Sequence, residues 1–233
     1  MKPSLESDEN SLILRRRAPW DAPGDPDGIA VVGDIHGRLD RLDRVLSRLP
    51  EERALVFLGD YVDRGPESRG VIERLIGLER RRQCVLLCGN HEEMMLDALA
   101  GLDEENLWLY NGGDATLRSY GVPNVRRLNE ELPAEHLAWL QGLQEHWETE
   151  EYVFVHAGIS PAGPDATDRD TKLWLRIAPD EAFGYGKRVI CGHTPYRSPV
   201  QGPDWINIDT GCGKLAAASL TALLLPELEI IQG

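Results

Sequence analysis

One short stretch of the sequence, residues 59–65, combines side chains able to bind a metal ion and a phosphoryl group. It reads Gly-Asp-Tyr-Val-Asp-Arg-Gly, so Asp60 and Asp63 stand three positions apart with Arg64 beside them. Carboxylates bind divalent cations, and a planar guanidinium matches phosphoryl oxygens. The apolar run 54–58 before the stretch predicts a buried strand, and open α/β sheets place their sites at strand ends. A strand followed by a solvated turn would explain this segment alone equally well.

The same pattern, an apolar run followed by a polar side chain able to bind metal, occurs at four further places. These are 29–32 before Asp34 and His36, 84–88 before Asn90 and His91, 152–155 before His156, and 189–191 before His193. The resulting donor set is two carboxylates, one amide and three imidazoles: Asp34, His36, Asp60, Asn90, His156 and His193. Mixed oxygen and nitrogen donors without thiolate suit manganese, iron or zinc. Six donors suit a pair of ions that share a carboxylate and act together on a displacement at phosphorus.

The motifs in this order resemble those of the phosphoprotein phosphatase family of dinuclear metallophosphoesterases. They are GDIHG at 33–37, GDYVDRG at 59–65, GNHE at 89–92, HAG at 156–158 and GHT at 192–194. The chain looks most similar to the compact bacterial and bacteriophage serine/threonine protein phosphatases, from about residue 28 onward. The resemblance implies an α/β fold, a four-layer α/β/β/α sandwich of the calcineurin-like type, with the dimetal site at one edge. It also implies that Asp34, His36 and Asp60 hold one ion, that Asp60, Asn90, His156 and His193 hold the other, and that Asp60 bridges them.

Residues beside these ligands are expected to handle protons and phosphate. An alkoxide leaving group needs a proton, and His91, next to Asn90 but outside the ligand set, is the expected general acid. Asp63 would accept a hydrogen bond from the His91 ring and fix its tautomer. Arg64 and Arg176, with Asn90, are expected to bind the phosphoryl oxygens.

The expected activity is a metal-dependent phosphomonoesterase acting on phosphorylated protein or small phosphoesters. Serine/threonine phosphatase activity, with dual specificity as a variant, is expected to proceed by direct attack of metal-bound hydroxide. Two divalent ions are expected, with Mn²⁺ first and iron or zinc as alternatives. Hydrolysis of diadenosine tetraphosphate or a related nucleotide on the same site is the alternative activity. Asp63 favours the phosphomonoesterase, because related dinucleotide hydrolases commonly have a small residue there.

Two other functional classes fit the sequence poorly. Residues 211–216, GCGKLA, match a dinucleotide-binding fingerprint, but they leave no room before the C-terminus for the helix, strand and acidic residue it requires. A non-enzymatic binding module would be expected to have lost a ligand or the acid histidine, and none is missing.

Composition sets broad limits on partners and location. The formal net charge of −14 over 233 residues argues against nucleic acid and acidic membranes as partners. Residues 1–10 lack the apolar core of a signal peptide, and the chain has no apolar run of 18 residues, so we expect a cytoplasmic protein. The four cysteines lack zinc-finger spacing and are expected to be buried free thiols.

Periodicity predicts the elements between the motifs. Residues 1–27 are expected to be a turn-rich lead-in to a single domain over 28–233. Helices are predicted at 38–49 and 67–82, and a long helical segment is predicted from 93 to about 147. Two strands, 219–225 and 228–231, are predicted to close the chain as a hairpin about Pro226.

Overall fold

The structure is a computed structural model that describes residues 28–101, 105–215 and 217–233. The predicted lead-in, residues 1–27, lies outside the described residues. Two five-stranded mixed sheets form the centre of the fold, with strand orders β10-β9-β1-β2-β3 and β4-β5-β6-β8-β7.

The first sheet contains the strands that lead into the aspartate-rich motifs. Its strands are β1 (Ile29–Val32), β2 (Ala54–Phe57), β3 (Cys84–Leu86), β9 (Thr221–Leu225) and β10 (Glu229–Gln232). β1, β2 and β3 are mutually parallel, so their carboxyl ends share one edge of the sheet. β9 and β10 pair antiparallel, which confirms the predicted terminal hairpin.

In the described part of the chain, seven helices follow or lie beside the first sheet. They are α1 (Leu39–Leu46), α2 (Ser68–Glu79), α3 (Asn90–Leu99), α4 (Glu105–Trp108), α5 (Asp114–Tyr120), α6 (Val125–Glu131) and α7 (Ala134–Gln141). A π-helical turn, Leu109–Gly113, joins α4 to α5. Apolar side chains of these helices form one core with the outward-facing residues of β1 and β2, such as Val32 and Phe57. This burial is the main source of stability for helices this short.

The second sheet carries the two histidine motifs. Its strands are β4 (His146–Glu148), β5 (Tyr152–Val155), β6 (Arg188–Cys191), β7 (Val200–Gln201) and β8 (Trp205–Asn207). β5, β6 and β8 are parallel to one another, so His156 and His193 both follow carboxyl ends. The two sheets pack through a second apolar core that includes Val31, Val56 and Val85 on one side and Phe154 and Ile190 on the other.

The layers agree with the predicted sandwich, although the outermost layer is thin. The outer face of the second sheet is covered by Ile159, Leu175, Phe183 and Tyr185, which belong to a mostly irregular stretch. That stretch holds only a 3₁₀ turn (Pro164–Ala166) and α8 (Arg169–Trp174). Within the described residues, no helix has the length and apolar character that crossing a bilayer requires.

Several boundaries differ from the sequence-based prediction, starting with the helix predicted over 38–49, which ends at Leu46. The helix predicted over 67–82 ends at Glu79, so Arg80, Arg81 and Arg82 follow it. The helical segment predicted to reach 147 ends at Gln141, and β4 pairs antiparallel with β5. Trp147 lies opposite Phe154 in that pair with its ring stacked at 5.1 Å, so the aromatic contact places this segment in the sheet.

Candidate active site

Asp60 lies at the centre of the site, just past the end of β2. Its carboxylate is 3.4 Å from Nε2 of His36 through one oxygen and 3.4 Å from Nε2 of His156 through the other. Burial disfavours its ionisation, but the neighbouring His156, His91 and His36 rings outweigh burial and lower the pKa of Asp60. Asp60 therefore joins donors that follow strands of both sheets.

The imidazoles of His36 and His156 present bare nitrogens to this centre. Nδ1 of His36 lies 3.0 Å from the Val62 carbonyl and Nδ1 of His156 lies 2.8 Å from the Leu58 carbonyl. A carbonyl can only accept, so Nδ1 carries the proton and Nε2 of each neutral ring offers a lone pair. This is the arrangement by which metal-binding histidines are normally oriented.

The side-chain oxygen of Asn90 faces ring nitrogens of two histidines, with too few protons for a hydrogen bond at each contact. This oxygen, Oδ1, lies 3.0 Å from Nε2 of His156 and 3.0 Å from Nδ1 of His193. Since Nε2 of a neutral His156 has no proton, a lone pair there faces an oxygen acceptor, and a cation between them would relieve this. Asp60 belongs to two triplets of donor residues, one with His36 and His91 and the other with Asp34 and His156. Within each triplet the donor atoms lie within 4.8 Å of one another. The chemistry of this set fits a pair of metal ions that share Asp60.

Asp34 lies beside a second buried carboxyl that the sequence analysis missed. The backbone N–H of His193 donates to Asp34 at 3.2 Å, and the close approach of Gly192 to Asp34 leaves no room for a Cβ atom. Burial, followed by the charges of Asp209 and Asp60, raises the pKa of Asp34. Asp209 follows β8 as the ligand residues follow their strands, and that position was the available signal.

His91 and Asp63 form a buried pair beside the donor cluster. Nδ1 of His91 lies 2.7 Å from Oδ2 of Asp63, and both side chains are at most 1% exposed. The other ring nitrogen, Nε2, lies 3.9 Å from Asp60. Although burial disfavours a charged ring, Asp60 and Asp63 raise the pKa of His91. The ring is thus held at one nitrogen and directed into the site by the other.

Arg64 reaches the site, whereas Arg176 stands at its exposed side. The guanidinium of Arg64 contacts Nε2 of His36, and its backbone N–H donates to the Gly112 carbonyl at 3.1 Å. Arg176 follows α8 and is exposed, and its charge helps to lower the pKa of His193 to about 3, after burial and His156. The ring of Trp174 lies 5.9 Å from that of His193.

Glu92 connects the turn after β2 to the turn after β3 through hydrogen bonds, a role that sequence reasoning did not assign. Its carboxylate accepts backbone N–H bonds from Asp60, Tyr61, Val62 and Gly89 at 2.7–3.2 Å. Burial and the charge of Asp60 raise the pKa of Glu92 to about 7, while these four donors favour the ionised form. The Glu of the GNHE motif therefore fixes the turns after β2 and β3 in relation to each other.

The backbone is strained where the functional side chains stand. Seven non-glycine residues of the described chain have positive φ, and five belong to the site: His36, Asp60, Asp63, Arg64 and His193. Such conformations cost roughly 1–3 kcal/mol each and persist where surrounding contacts enforce them.

Comparison with known proteins matches this chain to one family, whose members have different named activities. The family model described as calcineurin-like phosphoesterase matches residues 28–219. The asymmetrical bis(5'-nucleosyl)-tetraphosphatase PrpE of Halalkalibacterium halodurans is 27% identical, covering 86% of this chain and 91% of that protein. Serine/threonine-protein phosphatase 1 of Salmonella typhimurium is 32% identical, covering 82% and 90%. The crystal structure of a cold-active protein-tyrosine phosphatase from a psychrophilic Shewanella species matches the fold with a TM-score of 0.59 at 20% identity, covering 88% of this chain and 77% of that one. The chain therefore belongs to the calcineurin-like phosphoesterase family, whose members use a dinuclear metal site, and it is a hydrolase of phosphoric esters.

Proposed function

We propose that this protein is a phosphomonoesterase acting on phosphoserine and phosphothreonine in proteins, with phosphotyrosine as a further substrate. The observation that supports this most directly is the buried pair of His91 and Asp63 at 2.7 Å. An alkoxide from a serine or threonine side chain is a poor leaving group, so its departure depends on a donated proton.

The metal pair would be held by the six residues that surround Asp60. Asp34, His36 and Asp60 would hold one ion, and Asp60, Asn90, His156 and His193 would hold the other. Manganese is the proposed metal, with iron or zinc as alternatives, because the donors mix oxygen and nitrogen without thiolate. When bound, the metals activate water and neutralise charge on the phosphoryl oxygens.

The chain itself would position phosphate and supply the proton. Asp63 holds Nδ1 of His91, so Nε2 of the charged ring carries the proton for the leaving oxygen. Arg64, Arg176 and the Asn90 amide would bind the phosphoryl oxygens, where a guanidinium can make two parallel hydrogen bonds.

Hydrolysis would be direct, without a phosphoenzyme. Burial raises the pKa of all four cysteine thiols, to about 12 for Cys84 and Cys212 and higher for Cys88 and Cys191. The nucleophilic thiolate is therefore strongly disfavoured in this chain.

A hydrolase of dinucleoside polyphosphates is the second candidate function. Its support is the similarity to PrpE, together with exposed aromatic rings able to stack on a base. Tyr110, which is 90% exposed, lies two residues before Gly112, and Trp174 lies beside His193. A polyphosphate leaving group needs a proton much less than an alkoxide does, and the net charge of −14 disfavours a highly anionic substrate at long range.

Metal-stripped protein, reloaded with single metals and assayed on a panel of substrates, tests both parts of this proposal. We expect chelation to abolish hydrolysis and Mn²⁺ to restore it best. We also expect kcat/KM on a phosphoserine peptide to exceed that on diadenosine tetraphosphate, since His91 is oriented for a poor leaving group.

The result separates the metal requirement from the substrate. Full activity of metal-free protein would contradict the dimetal mechanism as a whole. A clear preference for the dinucleotide would reject the protein-phosphatase proposal alone and establish the second candidate. Trapping a phosphorylated residue of the enzyme would contradict direct hydrolysis.

A further inference from the structure

Two side chains of the helical segment 105–120 contact the carboxylate of Asp63, which bonds the proposed general acid, His91. This segment comprises α4, the π-helical turn and α5, and it supplies none of the proposed ligands. Nε1 of Trp108 lies 3.0 Å and 2.9 Å from the two oxygens of Asp63. The hydroxyl of Thr116 lies 2.7 Å from Oδ1 of the same carboxylate.

The protons in this cluster have only one consistent assignment around an ionised Asp63. The indole N–H of Trp108 can only donate, so the carboxylate must accept from it. Since the Thr116 hydroxyl donates its one proton to Asp63, its oxygen accepts from the hydroxyl of Ser68, 2.9 Å away. The backbone N–H of Asp63 then donates to the oxygens of Ser68 and Thr116, each at 3.0 Å. Together with Nδ1 of His91, each oxygen of the carboxylate has two donor contacts, and the Trp108 N–H is shared between the oxygens.

Both donors are fixed in place by their surroundings. Trp108 and Thr116 are fully buried, and α4 and α5 pack into the main core. The indole lies close against Gly113, where a Cβ atom would come within 2.6 Å of the ring. The donors therefore cannot follow the carboxylate if it turns.

We propose that Trp108 and Thr116 are positioning residues for general acid catalysis, a role that depends on the proposed function of His91. The terminal torsion of an aspartate is soft, so the hydrogen bond to His91 alone would leave the carboxylate free to rotate. Donors fixed on both of its oxygens lock its plane, and the locked plane directs the His91 ring so that Nε2 faces the leaving oxygen. Simple packing of a large apolar side chain in the core is the competing explanation for Trp108.

Variants that remove one donor at a time, assayed on two kinds of ester, test this role. Thr116→Val keeps the shape of the side chain but loses its O–H, and Trp108→Phe keeps an aromatic ring but loses the N–H together with part of the indole volume. We expect each to lower kcat about 10-fold on a phosphoserine peptide, the worth of one hydrogen bond to a charged group, with KM little changed. On p-nitrophenyl phosphate, whose leaving group needs little protonation, the loss should largely disappear. Thr116→Ser, which keeps the hydroxyl, should restore the rate on the peptide.

Two controls make the outcome specific. Trp205→Phe truncates an indole that is 1% exposed and whose N–H donates to the Glu181 carbonyl at 2.9 Å. Because this contact lies away from the site, the variant should leave both rates unchanged. In a His91→Asn background, Trp108→Phe and Thr116→Val should cause no further loss. Thermal unfolding and metal content show whether each variant is folded and loaded.

The outcomes distinguish a wrong inference from a wrong function. If His91→Asn itself lowers the rate no more on the peptide than on p-nitrophenyl phosphate, the acid role of His91 is wrong. If His91→Asn behaves as expected but the Trp108 and Thr116 variants lose equally on both esters, or lose nothing, these residues are structural and the inference fails.

Discussion

The proposed metal-binding half of the site and the proposed proton-transfer half are supported in different ways. His36 and His156, which we propose as metal ligands, are fixed by backbone carbonyls of Val62 and Leu58 in the turns at the end of β2. Asp63, by contrast, is held by side chains of a helical segment far along the chain. Because the two supports share few atoms, metal binding and proton transfer should be separable by mutation.

Asp60→Asn should have the largest effect, because it strikes the metal-binding half at its centre. The variant removes the charge of Asp60, which belongs to both donor clusters, while leaving the hydrogen bond between His91 and Asp63 in place. Even outer partners of metal ligands are worth about 10–100-fold in metal affinity, so we expect a larger loss here, with nearly all activity lost on every substrate. Metal analysis after gel filtration, together with kcat on aryl and peptide esters, measures both. Retention of two tightly bound ions would show that Asp60 is not the shared ligand.

His91→Asn should impair proton transfer to the leaving group without affecting metal binding. We expect metal content to remain and kcat on a phosphoserine peptide to fall by roughly 10²–10⁴-fold, the usual worth of general acid catalysis. The loss should be smaller on p-nitrophenyl phosphate. His136→Asn is the matched control, since His136 is also buried but bonds Tyr120 in the helical layer. If His91→Asn released metal instead, His91 would be a ligand, as its 3.9 Å approach to Asp60 allows.

The same difference explains how much of the molecule could be predicted from the sequence. The proposed ligand residues follow apolar runs by one to four positions, and parallel strands bring their carboxyl ends to one edge. A local pattern is therefore enough to predict which residues meet, as with Asp34, Asp60 and His156. Most strands of the two sheets and the terminal hairpin follow from the same runs, whereas β4 lies in the segment that periodicity predicted to be helical.

The support of the proton-transfer half was not predictable in this way. Trp108 and Thr116 stand 45 and 53 positions after Asp63 in the sequence, and nothing in their helical periodicity indicates a polar contact. A buried tryptophan in a helix is ordinarily a packing residue. The strained backbone at Asp63 and Arg64 is equally invisible, because it is enforced by contacts such as that with Gly112 rather than by local preference.

Gly112→Ala should have the smallest effect and would show whether this helical segment also positions phosphate. Gly112 has φ of 105°, and a Cβ atom there would lie 2.9 Å from Cγ and 3.0 Å from the backbone nitrogen of Arg64. The substitution therefore pushes directly on Arg64, whose N–H bonds the Gly112 carbonyl. We expect weaker phosphate binding, seen as a rise of a few-fold to about 10-fold in KM and in the inhibition constant of inorganic phosphate, consistent with the cost of a strained backbone.

Gly121→Ala separates this contact from the conformational penalty of alanine at positive φ. Gly121 ends α5 with φ of 73°, and a Cβ atom there would meet nothing within 4 Å. It should lower the melting temperature as Gly112→Ala does, without changing KM, because it bears the same backbone cost but does not touch Arg64. Equal kinetics in the two variants would mean that the segment positions only the acid and that Arg64 holds its place without it. A rise in KM confined to Gly112→Ala, on aryl and peptide esters alike, would mean that one helical segment positions both the proton donor and the phosphate-binding arginine.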